Sequence, residues 1–157
     1  MLSQKFFQGQ KNLLILAAAV VLLISSAMLL YLAASDEDFT KAEIMTQWTG
    51  QFSDVQIPAA LSGDANDWEH VWKLNKEAAP EWPEEAESFA AFYAGSRPTG
   101  GYSAEAVIKY QDNSVVRVGC KVRPPEGPAI MVITYPWVTA VLSGLDERRL
   151  ELANCSP

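Results

Sequence analysis

The chain is expected to be α+β: a single N-terminal transmembrane helix followed by a small, mostly antiparallel β domain with one packed helix. Three features point there. Leu13 to Ala34 form a run of 22 residues without charge, Gly or Pro. Trp68, Val71, Trp72 and Asn75 fall on one face at helical spacing. From Tyr102 to Arg123 apolar and polar residues alternate with period two, the mark of half-buried strands.

As a helix the apolar run rises about 33 Å at about 1.5 Å per residue, enough for a hydrocarbon core of about 30 Å. Its polar groups are the hydroxyls of Ser25, Ser26 and Tyr31. Serines inside a helix return a hydrogen bond to their own backbone. Lys5 and Lys11 precede the run, and Asp36, Glu37 and Asp38 follow it. Positive flanks stay in the cytoplasm, so the expected layout is a cytoplasmic tail over 1–12, a span over 13–34, a stalk over 35–43 and an exported domain over 44–157. That makes a single-pass protein of a bacterial inner membrane with a periplasmic domain. A cleaved signal peptide is the rival reading. The small-x-small site Ala33–Ala34–Ser35 would serve it, but a signal core is typically about 7–15 residues.

The exported part has the size of one domain. A net charge of −7 argues against nucleic acid, whose binders carry a basic face. Two cysteines are present, Cys120 and Cys155. In an oxidising compartment they are candidates for a disulfide; a buried thiol with a free one on the tail is the alternative, since spacing does not settle connectivity.

Along the exported part, residues 44–58 suit one or two short strands, and LSGD at 61–64 reads as a turn. Asp64 or Asn66 would cap a helix over about Ala65 to Ala78, whose two tryptophans pack against a sheet. Pro80 and Pro83 end it around Trp82. SFAAFYA, residues 88–94, has the composition of a buried strand. The loop GSRPTGGY follows at 95–102, read as a tight hairpin connection. Tyr102, Ala104, Ala106, Ile108 and Tyr110 then share one face of a strand. After the turn QDNS, Val116, Val118, Cys120 and Val122 face one way and Arg117, Lys121 and Arg123 the other, so the two strands form a hairpin. PPEGP breaks the ladder. AIMVIT (129–134) and WVTAVL (137–142) are expected as strands, with Pro136 between them. DERRLELA in the tail suggests a short helix.

No catalytic set emerges, and an enzyme is not expected. His70 is the chain's one histidine and is expected in solvent. No Cys or His spacing suits zinc, and no serine sits in a nucleophile elbow. Glu84, Glu85 and Glu87 read as a solvated acidic run. No metal or cofactor is expected. The loop at 95–102 is the unusual stretch: Gly100 and Gly101 permit positive φ, and Pro98 stiffens the approach, presenting Arg97 and Thr99.

The order of these features is familiar. A helix with Trp68 and Trp72, a strand ending in Gly95, the loop GSRPTGGYS, a hairpin, a proline-rich break and a strand after Tyr135-Pro136 resemble the C-terminal domain of the PrcB family of protease complex subunits, over about Asp67 to Leu142. The resemblance implies a small exported β-rich module without catalysis, attached to a larger complex. This chain departs from it in having a helical anchor instead of a lipidated cysteine. A second similarity is to chagasin-like inhibitors of cysteine proteases, which present N-P-T-T-G-[YF] and R-P-W loops. Here Arg97-Pro98-Thr99-Gly100-Gly101-Tyr102 and Tyr135-Pro136-Trp137 echo them, with Gly100 for the second Thr and Tyr135 for the Arg.

The expected function is a non-catalytic accessory subunit of a larger membrane protein complex, whether photosynthetic, respiratory, secretory or proteolytic. Ala19, Ser26 and Ala33 recur every seven residues, a small-residue stripe for helix packing. Arg97, Pro98, Thr99, Gly100, Gly101 and Tyr102, with Trp82 and Trp137, are candidate partner-binding residues, since Arg and aromatic groups anchor interfaces. The alternative is a tethered binding or inhibitor module.

Overall fold

SFAAFYA and WVTAVLS are apolar on both faces, which suits strands covered on two sides. In a computed structural model, which describes residues 40–156, they are the central strands of a four-stranded sheet. The elements run β1 (Glu43–Gly50), β2 (Pro58–Gly63), α1 (Trp68–Leu74), β3 (Ser88–Ala94), β4 (Ser103–Gln111), β5 (Val115–Arg123), β6 (Trp137–Ser143) and β7 (Arg149–Leu152). The first sheet has the antiparallel order β1-β6-β3-β2. The second has the order β4-β5-β7, with β5 and β7 parallel.

Period two along β3 divides its side chains between two cores. Ala90, Phe92 and Ala94 meet Val116, Val118, Cys120 and Val122 of the second sheet. Phe89, Ala91 and Tyr93 meet Trp68, Val71 and Trp72 of α1 on the opposite face. Asn75 sits in that second core as a satisfied polar group: its amide donates to Thr139 Oγ1 at 3.0 Å, and its Oδ1 accepts from the Tyr93 hydroxyl at 3.0 Å. Burial raises the Tyr93 pKa, keeping the donor protonated.

The open seam between β1 and β4 is stitched by glutamine side chains. Gln47 Oε1 accepts from Ala106 N at 2.8 Å, and Gln111 Oε1 accepts from Ala42 N at 2.9 Å. These amides stand in for ladder bonds that the two edge strands do not make with each other. Ala42, placed in the stalk by the sequence, is already buried at 1% exposure. Cys120 and Cys155 are joined by a disulfide.

Several expectations are corrected. The fold class is not α+β but mostly β, because the one helix among the described residues is only 7 residues long. An Asx turn, in which Asn66 N donates to Asp64 Oδ1 at 2.8 Å, uses up the residues expected to start it. Lys76, at φ 58°, takes a left-handed conformation soon after Leu74 and stops the helix short of Ala78. No helix among the described residues is long and apolar enough to cross a membrane, so no membrane-spanning helix is part of the fold seen here. The run Leu13–Ala34, the tail 1–12 and the stripe Ala19, Ser26 and Ala33 lie outside the described residues.

The tail's DERRLELA supplies strand β7 and not a helix, since Val116 and Val118 of β5 give Leu150 and Leu152 a strand to pair with. Leu61, Ser62 and Gly63 of LSGD belong to β2, edge partner of β3. Residues 129–134 do not form a strand. Prolines frame them on both sides, and their one ladder contact is the bridge from Thr134 to Arg97. A register shift between Ile108 and Tyr110 turns Tyr110 outward, where its hydroxyl donates to Asp112 Oδ2 at 2.6 Å.

Candidate functional site

The loop after β3 does not close a hairpin: β3 lies in the first sheet and β4 in the second, so residues 95–102 carry the chain across from one to the other. The crossing brings three loops to one end of the molecule. Arg97 N donates to Thr134 O at 2.8 Å, and Thr134 N returns a bond to Arg97 O at 3.0 Å. Thr134 Oγ1 donates to Thr99 O at 3.0 Å, and Gly100 N donates to Ile130 O at 3.0 Å. The loop after β1 joins the group: Ser96 N donates to Gln56 O and Tyr135 N to Gln51 O, while Gln51 Oε1 accepts from Gly101 N at 3.0 Å.

Glycine is required within this arrangement. Gly101 has φ +83°, and a Cβ there would stand 2.8 Å from Pro125 Cβ. A side chain would meet both backbone strain and a rigid ring. The loop is therefore a held structure with Pro98 exposed and Thr99 and Arg97 half-buried.

Around it stand apolar side chains in solvent. Ile57 is 71% exposed, Ile130 74% and Met131 86%, with Phe52 and Ile133 more than half exposed. All five belong to two of the three loops just described, the loop after β1 and the segment between β5 and β6. Sequence reasoning missed them, because AIMVIT has strand composition; the prolines at 124, 125, 128 and 136 were the signal against pairing.

Arg97 lines two clefts. One, of about 270 Å³, is bounded by Pro58, Ala59, Tyr93 and Asn154. The other, of about 290 Å³, is bounded by Tyr102, Val122, Pro124 and Ser156. Arg97 and Cys155 border both. The guanidinium lies 5.8 Å from the centre of the Tyr102 ring, a cation–π distance.

The other candidates fall elsewhere. Trp137 is fully buried, its indole donating to Phe52 O at 3.0 Å; it is a core residue and not a docking group. Trp82 is half-buried, edge-on to Trp68 at 5.1 Å. His70 is exposed on α1. Glu87 has a task the sequence did not show: its carboxylate accepts from Gly144 N, Leu145 N and Asp146 N at 2.6 to 3.0 Å, holding the turn after β6.

Residues 88–143, from the start of β3 to the end of β6, match the family model PrcB C-terminal. The match covers the crossing loop and the β4–β5 hairpin and leaves out α1 and β7. A PrcB-like domain is thus supported over that stretch. Comparison with curated proteins and with solved structures gives no match.

Proposed function

We propose that this protein is a non-catalytic accessory module of a protease-containing complex, docking on a protein partner through the loop end built from residues 51–57, 95–102 and 129–136. The observation that carries the reading is the gathering of Phe52, Ile57, Ile130, Met131 and Ile133 in solvent on loops bonded to one another. Apolar groups exposed together mark interaction sites more often than scattered ones do. The match to the PrcB C-terminal model over 88–143 supports the protease-complex setting. An extracytoplasmic location at the bacterial inner membrane fits the disulfide and the apolar run Leu13–Ala34, which would direct the chain to the membrane. Cell fractionation tests the location: recovery in the cytosolic fraction would refute it.

Photo-cross-linking in cells tests the docking end. A cross-linker at Met131 should trap a partner that one at Lys121, exposed on the second sheet, does not. The partner should be a subunit of a protease complex, and Ile130→Ser with Ile133→Ser should abolish its capture. Equal capture from both positions would defeat the reading.

A second reading is inhibition of a papain-type protease. The Arg97–Thr134 bridge sets RPTGGY beside Tyr135-Pro136-Trp137, which favours it; the burial of Trp137 counts against it. Titration of papain with residues 40–157, which enclose both cores, separates the two readings. The accessory reading predicts no inhibition.

A further inference from the structure

Arg97 differs from the other arginines of the chain. Arg117 and Arg149 pair with Glu151, Arg123 pairs with Glu105, and Arg148 bonds backbone carbonyls such as Leu145 O. Arg97 Nε is buried, and no acceptor among the described residues reaches it. A guanidinium is donor-only, with five N–H groups in a planar fork, and a buried donor without an acceptor is costly. The Tyr102 face offsets part of that cost but supplies no acceptor. The position is not an accident of a loose loop, because both backbone bonds of Arg97 to Thr134 hold it in place.

The surroundings suggest what would complete the fork. Neither cleft beside Arg97 is bordered by Asp, Glu or Lys, so a single positive charge stands between walls that are mostly uncharged. At about 270 and 290 Å³ the clefts lie just under the usual range for drug-sized ligands, and each can admit a side chain. The first runs along Pro58 and Ala59 of β2, a sheet edge. Peptides that add to a sheet edge place alternate side chains in pockets, and residues i and i+2 of a strand share one face.

We propose that Arg97 binds a carboxylate of an extended partner peptide, with apolar residues two positions before and after it entering the two clefts. This inference rests on the reading of the loop end as a docking surface and specifies the chemistry of the segment recognised there. The carboxylate belongs to an acidic side chain inside the segment, since a residue must follow it into a cleft, and the guanidinium fork suits it.

The test uses the full chain in detergent and three fluorescent peptides followed by anisotropy: SVTETVS with a blocked C-terminus, its Glu→Gln counterpart, and SVTQTV with a free C-terminus. The Glu peptide should bind at least tenfold more tightly than the Gln peptide. Arg97→Gln should remove that difference, and Pro124→Trp, which fills the second cleft and leaves Arg97 in place, should weaken the Glu peptide as well. Preference for the free-terminus peptide over the Glu peptide would place the carboxylate at a chain end and overturn the proposal. Equal binding of Glu and Gln peptides, no binding of any peptide, or full binding by Arg97→Gln would overturn the proposal. Should the peptides fail while the Met131 cross-link persists, the carboxylate site falls and the docking end stands. Should the cross-link fail while the peptides bind through Arg97, the reverse holds.

Discussion

On the helix-covered face of the first sheet, all five tryptophans of the chain pack edge to face. Trp48, Trp68 and Trp72 lie within 5.4 to 5.6 Å of one another, Trp82 leans on Trp68, and Trp137 meets Trp72 at 5.6 Å. At the loop end, five residues of similar apolarity stand in water. The difference lies in what each group is attached to. The tryptophans sit on α1, on strands, and at Trp82 on the connection against α1, so period and register turn them toward one another. Ile130, Met131 and Ile133 sit on a segment whose backbone bonds hold it flat against neighbouring loops with its side chains outward. The aromatic layer serves stability, and the aliphatic end is free for contact.

The largest expected effect sharpens that division. Trp72→Ala should lower unfolding free energy by about 3–5 kcal/mol, the usual cost of emptying a buried large aromatic site. Urea unfolding measures it, and a loss under 1 kcal/mol would mean that the layer is not a true core. Next, replacing Cys120 and Cys155 together with Ser removes a cross-link spanning 35 residues. The chain-entropy model gives a loss of about 4 kcal/mol, and proteolysis should then begin in the tail after β7. Gly101→Val adds left-handed strain of about 1–2 kcal/mol and pushes on Pro125. A loss at least that large should appear as a lower thermal midpoint.

At the loop end the expectation reverses. Met131→Ser and Ile133→Ser should each change stability by no more than about 0.5 kcal/mol, as exposed positions do, while partner capture falls. A stability loss comparable to Trp72→Ala would erase the contrast between the two regions. The smallest effect is one of pH. Asp112 is held well below the usual carboxylate range, first by the Tyr110 hydroxyl and then by bonds from Ser114 and Val115. Because its native pKa is below the unfolded value of about 3.9, its contribution is complete above about pH 5 and is lost as pH falls through the lowered native value. Wild type and Asp112→Ala should therefore differ in thermal midpoint at pH 7 and converge in strong acid.

Much of the strand framework was legible in advance. The stripe Trp68, Val71, Trp72 and Asn75 is the buried face of a helix, and β3, β4, β5 and β6 lie within a residue or two of where composition and alternation put them. What escaped depends on distant partners. Glu87 looks like one of three solvated carboxylates until the turn at 144–146 is seen against it. The apolar segment AIMVIT, expected as a strand, is a loop because the prolines deny it a partner, while the charged segment DERRLELA, expected as a helix, supplies a strand because β5 offers it an edge. Of the candidate loop, the sequence supplied the residues and the need for glycine; which neighbours it would meet was not written there.

By itself the sequence determined which segments are apolar on one face or two, and where glycine and proline punctuate the chain. Those are local properties, set by side-chain chemistry and backbone period. Only the tertiary structure decided that the chain divides into two sheets, that the RPTGGY loop crosses between them, and that Arg97 stands between two clefts beside a disulfide. Such features depend on contacts between residues tens of positions apart, and strand pairing across that distance is chosen by the packing of the whole domain.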